Sequence, residues 1–186
     1  MRRTWIFTIL FVICLLLGGT LPAYADNSES QVFALVNARR LQNGLPPLAL
    51  SGVLATAARA YASTLAGGGF FSHTGLDGST FITRDEAAGY TDWDYLEENL
   101  AGGQQTPEQV VAAWLASPEH RANLLSPNVR EIGIGHVYRP GSKYLNYWVQ
   151  EFGDRPGAQL VSYVAPSSQA PGDQGSPAAS NPVPSS

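Results

Sequence analysis

Apolar positions recur every three or four residues through the first two thirds of the chain and crowd into short β-branched and aromatic runs near residue 150. The pattern predicts helices first and strands last. Over 32–41, Val32, Leu35 and Val36, with Phe33 beside them, share a helical face, with Ser28 or Ser30 as the expected N-cap and Asn43-Gly44 as the stop. Leu45-Pro46-Pro47-Leu48 reads as an extended connector. Ser51 then opens a second helix whose Leu54, Ala57, Ala58, Tyr61 and Leu65 lie on one side, and Gly67-Gly68-Gly69 ends it. A shorter helix over Phe81–Ala88 stops at Gly89. Thr106-Pro107-Glu108-Gln109 starts another: the hydroxyl caps, the proline sits where no N–H is needed, and Gln109 reaches back. Val110, Val111, Trp114 and Leu115 form its buried stripe, and Ser117-Pro118-Glu119-His120 repeats the device for a short helix carrying Leu124 and Leu125.

After Asn128 the residues 131–138 are β-branched and glycine-rich, Arg139-Pro140-Gly141-Ser142 is a turn, and 144–152 is dense in aromatics, which together predict an antiparallel hairpin. Trp114, Tyr147, Trp148 and Phe152 are expected in the core, with His136 and Glu131 on the strand surface. Helices before and strands after, with no strand-helix-strand repeat, predict an α+β fold.

The two ends of the chain read differently. Arg2 and Arg3, an apolar run over 5–17 and the small-x-small triplet Ala23-Tyr24-Ala25 have the layout of a cleaved secretory signal. The run is shorter than the roughly 20 residues a bilayer needs, so no membrane span is expected after cleavage. Cys14 lies inside it, so the 161 residues that follow Ala25 hold no cysteine, and disulfides, thiolate ligands and a cysteine nucleophile are excluded together. From Pro166 onward the chain is almost entirely Pro, Ser, Ala, Gly, Gln and Asn, a composition that cannot build a core. The expected organisation is a signal peptide over 1–25, one monomeric domain over 26–160 and a disordered tail over 161–186. Losing Arg2 and Arg3 leaves nine basic residues against fifteen acidic ones, with no basic cluster larger than Arg39-Arg40, which argues against a nucleic-acid partner.

Three side chains stand out as chemistry. His73 follows the glycine-rich aromatic turn Gly69-Phe70-Phe71-Ser72, His120 is the third residue of a helix whose N-terminus disfavours imidazolium, and Glu98 sits in Glu97-Glu98-Asn99-Leu100, read as an acidic loop before Gly102-Gly103. No G-x-S-x-G elbow, H-E-x-x-H helix or phosphate-cradling glycine loop is present. Ser117 lies near His120 in sequence, but its role as a helix cap accounts for it without nucleophilic chemistry.

Taken in order, the motifs resemble the bacterial branch of the CAP superfamily, the cysteine-rich secretory, antigen 5 and pathogenesis-related class-1 proteins, also known as SCP-like extracellular domains. They are Asn37 and Arg40; Leu48 with Leu54 and Ala58; Phe71-Ser72-His73; Arg84 with Gly89-Tyr90; Glu98-Asn99-Leu100-Ala101; Trp114 with Ser117-Pro118-Glu119-His120-Arg121-Ala122-Asn123; Ile132-Gly133-Ile134-Gly135; and Tyr147-Trp148-Val149-Gln150-Glu151-Phe152-Gly153. The resemblance covers roughly 30–154. It implies a three-layer α-β-α sandwich with a central antiparallel sheet, and a cleft in which many members gather two His and two Glu, often reported to bind zinc or another divalent cation. His73, Glu98 and His120 match three of the four positions. Ser117 stands in place of the second glutamate, and Glu97 where the family usually has glycine.

These departures imply a weak, open metal site at most, with His73 and His120 as candidate ligands. The expectation is a secreted binding module whose cleft, lined by His73, Glu98, Ser117 and His120, takes a lipid, peptide or glycan, with a divalent cation such as zinc weakly bound if at all. The alternative is a metal-assisted hydrolase in which His73 and His120 hold the ion and Glu98 is the general base. A third reading makes the trio a structural hydrogen-bond network.

Overall fold

The computed structural model describes residues 28–158; the expected signal peptide and tail lie outside them. Among the described residues the order is α1 (Ser28–Gln42), β1 (Ala49–Leu50), α2 (Gly52–Gly68), α3 (Phe81–Ala88), β2 (Tyr95–Gly102), α4 (Pro107–Ala116), α5 (Pro118–Leu124), β3 (Glu131–Tyr138) and β4 (Asn146–Asp154). None of these helices is long and apolar enough to cross a membrane. Most helix signals act as expected. Ser51 caps α2 by accepting the Leu54 N–H, Gly69 closes it in the left-handed conformation at φ 69°, and Thr80 and Thr83 form a reciprocal capping box on α3.

Three local expectations need correction. Ser28 and Ser30 lie inside α1 and are not its cap. Ser117 occupies the N-cap position of α5, but its side chain makes no capping bond. Gln109 does reach back, yet its Oε1 accepts from the Gln105 N–H at 2.8 Å, one residue outside the cap.

The fold is α+β, with a four-stranded sheet in the order β1-β3-β4-β2. The hairpin β3-β4 and the pair β2-β4 are antiparallel, and β1 adds a two-residue parallel pairing at one edge. Strand β2 stands where the sequence predicts a loop. Two glutamates, an asparagine and a glycine give it little intrinsic strand preference, and pairing along the whole of β4 overrides that. Glu131 is also corrected: it is buried, with its carboxylate held by the Tyr90 hydroxyl at 2.7 Å and Arg155 Nε at 3.0 Å.

The layers follow from strand alternation. Ile132 and Ile134 of β3, Trp148 and Phe152 of β4, and Ala101 of β2 join Val32, Val36, Val110, Trp114 and Leu124 from α1, α4 and α5 in one core. Val149, Tyr147 and Leu100 point to the other face, onto Ala58, Tyr61, Ala62 and Leu65 of α2. Because β4 is covered on both faces, it shows a solid buried run rather than an alternating one. Buried polar groups lace the layers: Asn37 bonds both main-chain groups of Leu48 at 2.8 and 3.1 Å, and the Arg40 guanidinium donates to the carbonyls of Pro46, Leu124 and Ser126.

Helix α2 comes so close to the sheet that a Cβ on Gly133 or Gly135 would strike the α2 backbone at Leu54-Ala55 or Ala58-Arg59. Gly135→Ala should therefore cost at least about 1–3 kcal/mol through overpacking. Trp114, 1% exposed with its Nε1–H on the Leu100 carbonyl at 3.1 Å, should cost about 3–5 kcal/mol as Trp114→Ala. Urea denaturation of the two variants measures both.

Candidate functional site

Strand β2 carries Glu98 on the α2 side of the sheet, where its side chain is 1% exposed. A carboxylate this deep must be paired and hydrogen-bonded. Its Oε1 lies 2.7 Å from Nδ1 of His73, on the turn after α2, and its Oε2 accepts from Arg84 NH2 of α3 at 2.6 Å. Arg84 is held through both terminal nitrogens: it also donates to the carbonyls of His73 and Ser79, and its guanidinium lies 3.3 Å from the centre of the Tyr61 ring, while its buried Nε has no partner among the described residues. The network thereby ties α2, α3, the His73 turn and β2 together.

From the other layer comes α5. Asn123 Nδ2 donates to the Glu98 carbonyl at 3.1 Å and to Asn99 Oδ1 at 3.0 Å, while Asn99 Nδ2 donates to the His120 carbonyl at 3.0 Å. These bonds bring the start of α5 over β2. His73, Glu98 and His120 thus line one hollow of about 300 Å³ together with Phe81, Leu96, Glu97, Glu119 and Asn123. Ser117 is not among the lining residues; it remains at the junction of α4 and α5.

The two imidazoles are pushed in opposite directions. The hydrogen bond to Glu98 raises the His73 pKa, against the opposing effect of burial, so this ring keeps its proton to higher pH than a free histidine. Burial lowers the His120 pKa, and repulsion from His73 lowers it further, so His120 stays neutral to lower pH than a free histidine. The helix N-terminus named from the sequence acts in the same direction.

Under Glu98 lies a group of acids that sequence reasoning did not single out. Glu151 is its partner across the β2-β4 pair and is fully buried; Asp85 of α3 is fully buried as well. Among the described residues neither carboxylate has a hydrogen-bond partner when both are ionised, and Arg84 is the neighbouring cation that offsets their charge. Burial, then repulsion from Glu98, pushes Asp85 up to about 7. Burial, then repulsion from Glu98 and Asp85, pushes Glu151 well up, and a protonated Glu151 becomes a donor toward Glu98. Glu97 points to the opposite face, where burial pushes it up to about 7 against the stabilising bonds of Ser126 and Tyr95. The signal for Glu151 was present in the sequence as an acid inside an aromatic strand. Asp85 gave none, because a charged residue beside Arg84 on a short helix looks solvated.

Glu98 is a poor ligand for a divalent cation, and a donor set of three or more side chains is not formed around it among the described residues. Nδ1 of His73 and both oxygens of Glu98 are already engaged, with a guanidinium directly on one of them. Among the described residues no group of three or more His, Cys, Asp or Glu is arranged to hold a metal ion. Glu98 is equally unsuited to deprotonating a water in the hollow, since both oxygens are occupied and the side chain is shut away from solvent.

The chain is similar to known proteins over the segment that builds this site. A family model described as the cysteine-rich secretory protein family, CAP, matches residues 33–152. The uncharacterised Bacillus subtilis protein YkwD is 35% identical over 131 residues, 70% of this chain and 49% of that protein. The uncharacterised membrane protein YlbC of the same organism is 29% identical over 58% of this chain and 31% of its own length. The chain thus spans half or less of the length of these relatives. Among solved structures, an extracellular SCP-domain protein of Bacillus anthracis superposes with a TM-score of 0.63 at 26% identity, over 69% of this chain and 40% of that one. An outer surface protein of Borrelia burgdorferi gives 0.62 at 25% identity, over 69% of this chain and 96% of that one.

The raised carboxyl and imidazole pKa values give stability an unusual pH dependence. The raised pKa values of Asp85 and Glu97 favour protons in the folded state that the unfolded chain releases above about pH 4, so this stabilisation is lost as pH rises from about 4 through about 7, and Glu151, raised well above its ordinary value, acts in the same direction. His73 adds to the loss as pH climbs through its raised folded value, while His120 acts oppositely below its free value. The melting temperature should therefore be higher at about pH 5 than at about pH 8, and Asp85→Asn should flatten that slope; calorimetry at the two pH values is the check.

Proposed function

Because the chain belongs to the cysteine-rich secretory protein family, CAP, we propose that it is an exported binding module that seats its ligand in the hollow between His73 and His120. The observation that carries this reading is the complete engagement of Glu98. With one oxygen on His73 and the other on Arg84, the carboxylate orients the imidazole instead of reacting, and the hollow becomes a preformed polar surface. His73 offers its remaining ring nitrogen as a donor, His120 offers a neutral ring, and Phe81 and Leu96 supply apolar wall. Lipid, peptide and glycan are the ligand classes the family resemblance brings; a hollow with this many polar groups suits a peptide or glycan better than an acyl chain.

Export is supported by the leader-like segment 1–25 and by likeness to a protein described as extracellular. The hydrolase reading has less support. No group of three or more metal donors is assembled among the described residues, the proposed base is buried with both oxygens engaged, and the bond to Glu98 raises the His73 pKa, which works against His73 as a base.

Zinc titrated into the protein should release no binding heat that His73→Ala abolishes, whereas a saturable zinc isotherm lost in that variant would restore the metal reading. Glu98→Gln should lower the His73 pKa toward that of free histidine, read from the imidazole proton shift in an NMR pH titration. Hydrolytic turnover of a peptide or ester substrate that disappears in Glu98→Ala would end the binding interpretation.

A further inference from the structure

The hollow has a floor as well as walls, and the floor is the outer edge of the sheet. Strand β2 is an outer strand, and its register with β4, continued by the Gly103 N–H on the Asn146 carbonyl at 3.0 Å, directs the main-chain groups of residues 95, 97, 99 and 101 inward. Those of Leu96, Glu98 and Leu100 face the free edge. Side chains cover two of the edge carbonyls: Asn123 takes that of Glu98 and Trp114 that of Leu100, each at 3.1 Å. The N–H and C=O of Leu96 and the N–H groups of Glu98 and Leu100 have no partner among the described residues; of these, Leu96 and Glu98 line the hollow.

A main-chain N–H on a residue as enclosed as Glu98, 4% exposed, has to find an acceptor. The row it belongs to reads donor, acceptor, donor, over two residues of strand or about 6.6 Å. An extended peptide carries the complementary row in its own main chain, whereas a lipid tail has no such groups and a sugar ring has no such repeat. Asn123 and Trp114 close the row beyond Glu98, so only a short stretch can pair. Glu98 is spent on His73 and Arg84, and Glu97 is half-buried, which leaves the exposed Glu119 as the free carboxylate at the mouth.

We propose that the hollow binds a short extended peptide, laid as an added strand along the free edge of β2 at Leu96 and Glu98, with a basic side chain beside Glu119. This rests on the binding reading above and narrows it to one ligand class. His73 and His120 then flank the peptide from the two helical layers, which places side-chain selection in the imidazoles and affinity in the main chain.

The test uses the 15N-labelled protein with an equimolar pool of N-acetylated, C-amidated pentapeptides, one position lysine and the rest randomised, and a second pool N-methylated at alternate residues. The first pool should shift the Leu96 and Glu98 amide signals and slow their exchange with solvent. Loss of the main-chain bonds should weaken the second pool roughly tenfold. Leu96→Pro deletes an N–H that no ladder bond uses, as an edge strand tolerates, and should weaken the first pool similarly. No shift at Leu96 and Glu98 with the first pool, or equal shifts with both pools, overturns the proposal. If both pools move the His73 and His120 ring signals equally, binding in the hollow survives and strand addition fails. If neither moves any signal of the hollow, both readings fail for peptides.

Discussion

A carboxylate carried by a strand into the interior of a protein has to be neutralised where it lies, and Glu98 meets that demand with one imidazole and one guanidinium. The consequences spread well past the pair. Arg84 reaches Glu98 from α3, so α3 must pack beside α2, and the same guanidinium lies on Tyr61 and gathers the carbonyls of His73 and Ser79. The irregular segment between α2 and α3 is thus held at both ends by a single side chain. Replacing such a network with apolar residues often leaves stability unchanged or raises it. What the network supplies here is a fixed direction for His73.

The sheet decides where that direction matters. Because β4 is central and β2 is at the edge, the face carrying Glu98 and the face carrying Asn99 both end at the same outer strand. His73 arrives from the α2-α3 layer and His120 from α5, and they meet over the edge between the layers. The close seating of α2 on Gly133 and Gly135 sets the height of the first layer, and the Asn123-Asn99 pair sets the second. A site built this way draws on every layer of the sandwich while using few residues from each.

Beneath it, Asp85 and Glu151 make the interior acidic beyond what Arg84 can balance. Burial and mutual repulsion favour the protonated form of both carboxyls, and at Asp85, pushed up to about 7, proton occupancy changes near neutrality. The charge felt by Glu98, and through it by His73, therefore depends on solution conditions more than the exposed surface would suggest.

Local chemistry was legible without coordinates wherever the determining contacts are short in sequence. The Thr106-Pro107 start, the Ser51 cap, the glycine stop of α2 and the turn between β3 and β4 all depend on groups within a few residues of one another, and the order of motifs was enough to mark His73, Glu98 and His120. What needed the tertiary structure was set by partners far along the chain. Tyr95–Gly102 becomes a strand because β4, some fifty residues later, offers it a ladder, and Glu131 is buried because Tyr90 and Arg155 converge on it. The role of Glu98 changed for the same reason. A glutamate's type makes it a ligand, a base or an anchor, and only the positions of Arg84, His73 and Glu151 around it select the anchor, since electrostatic pairing depends on distance in space and not on separation along the chain.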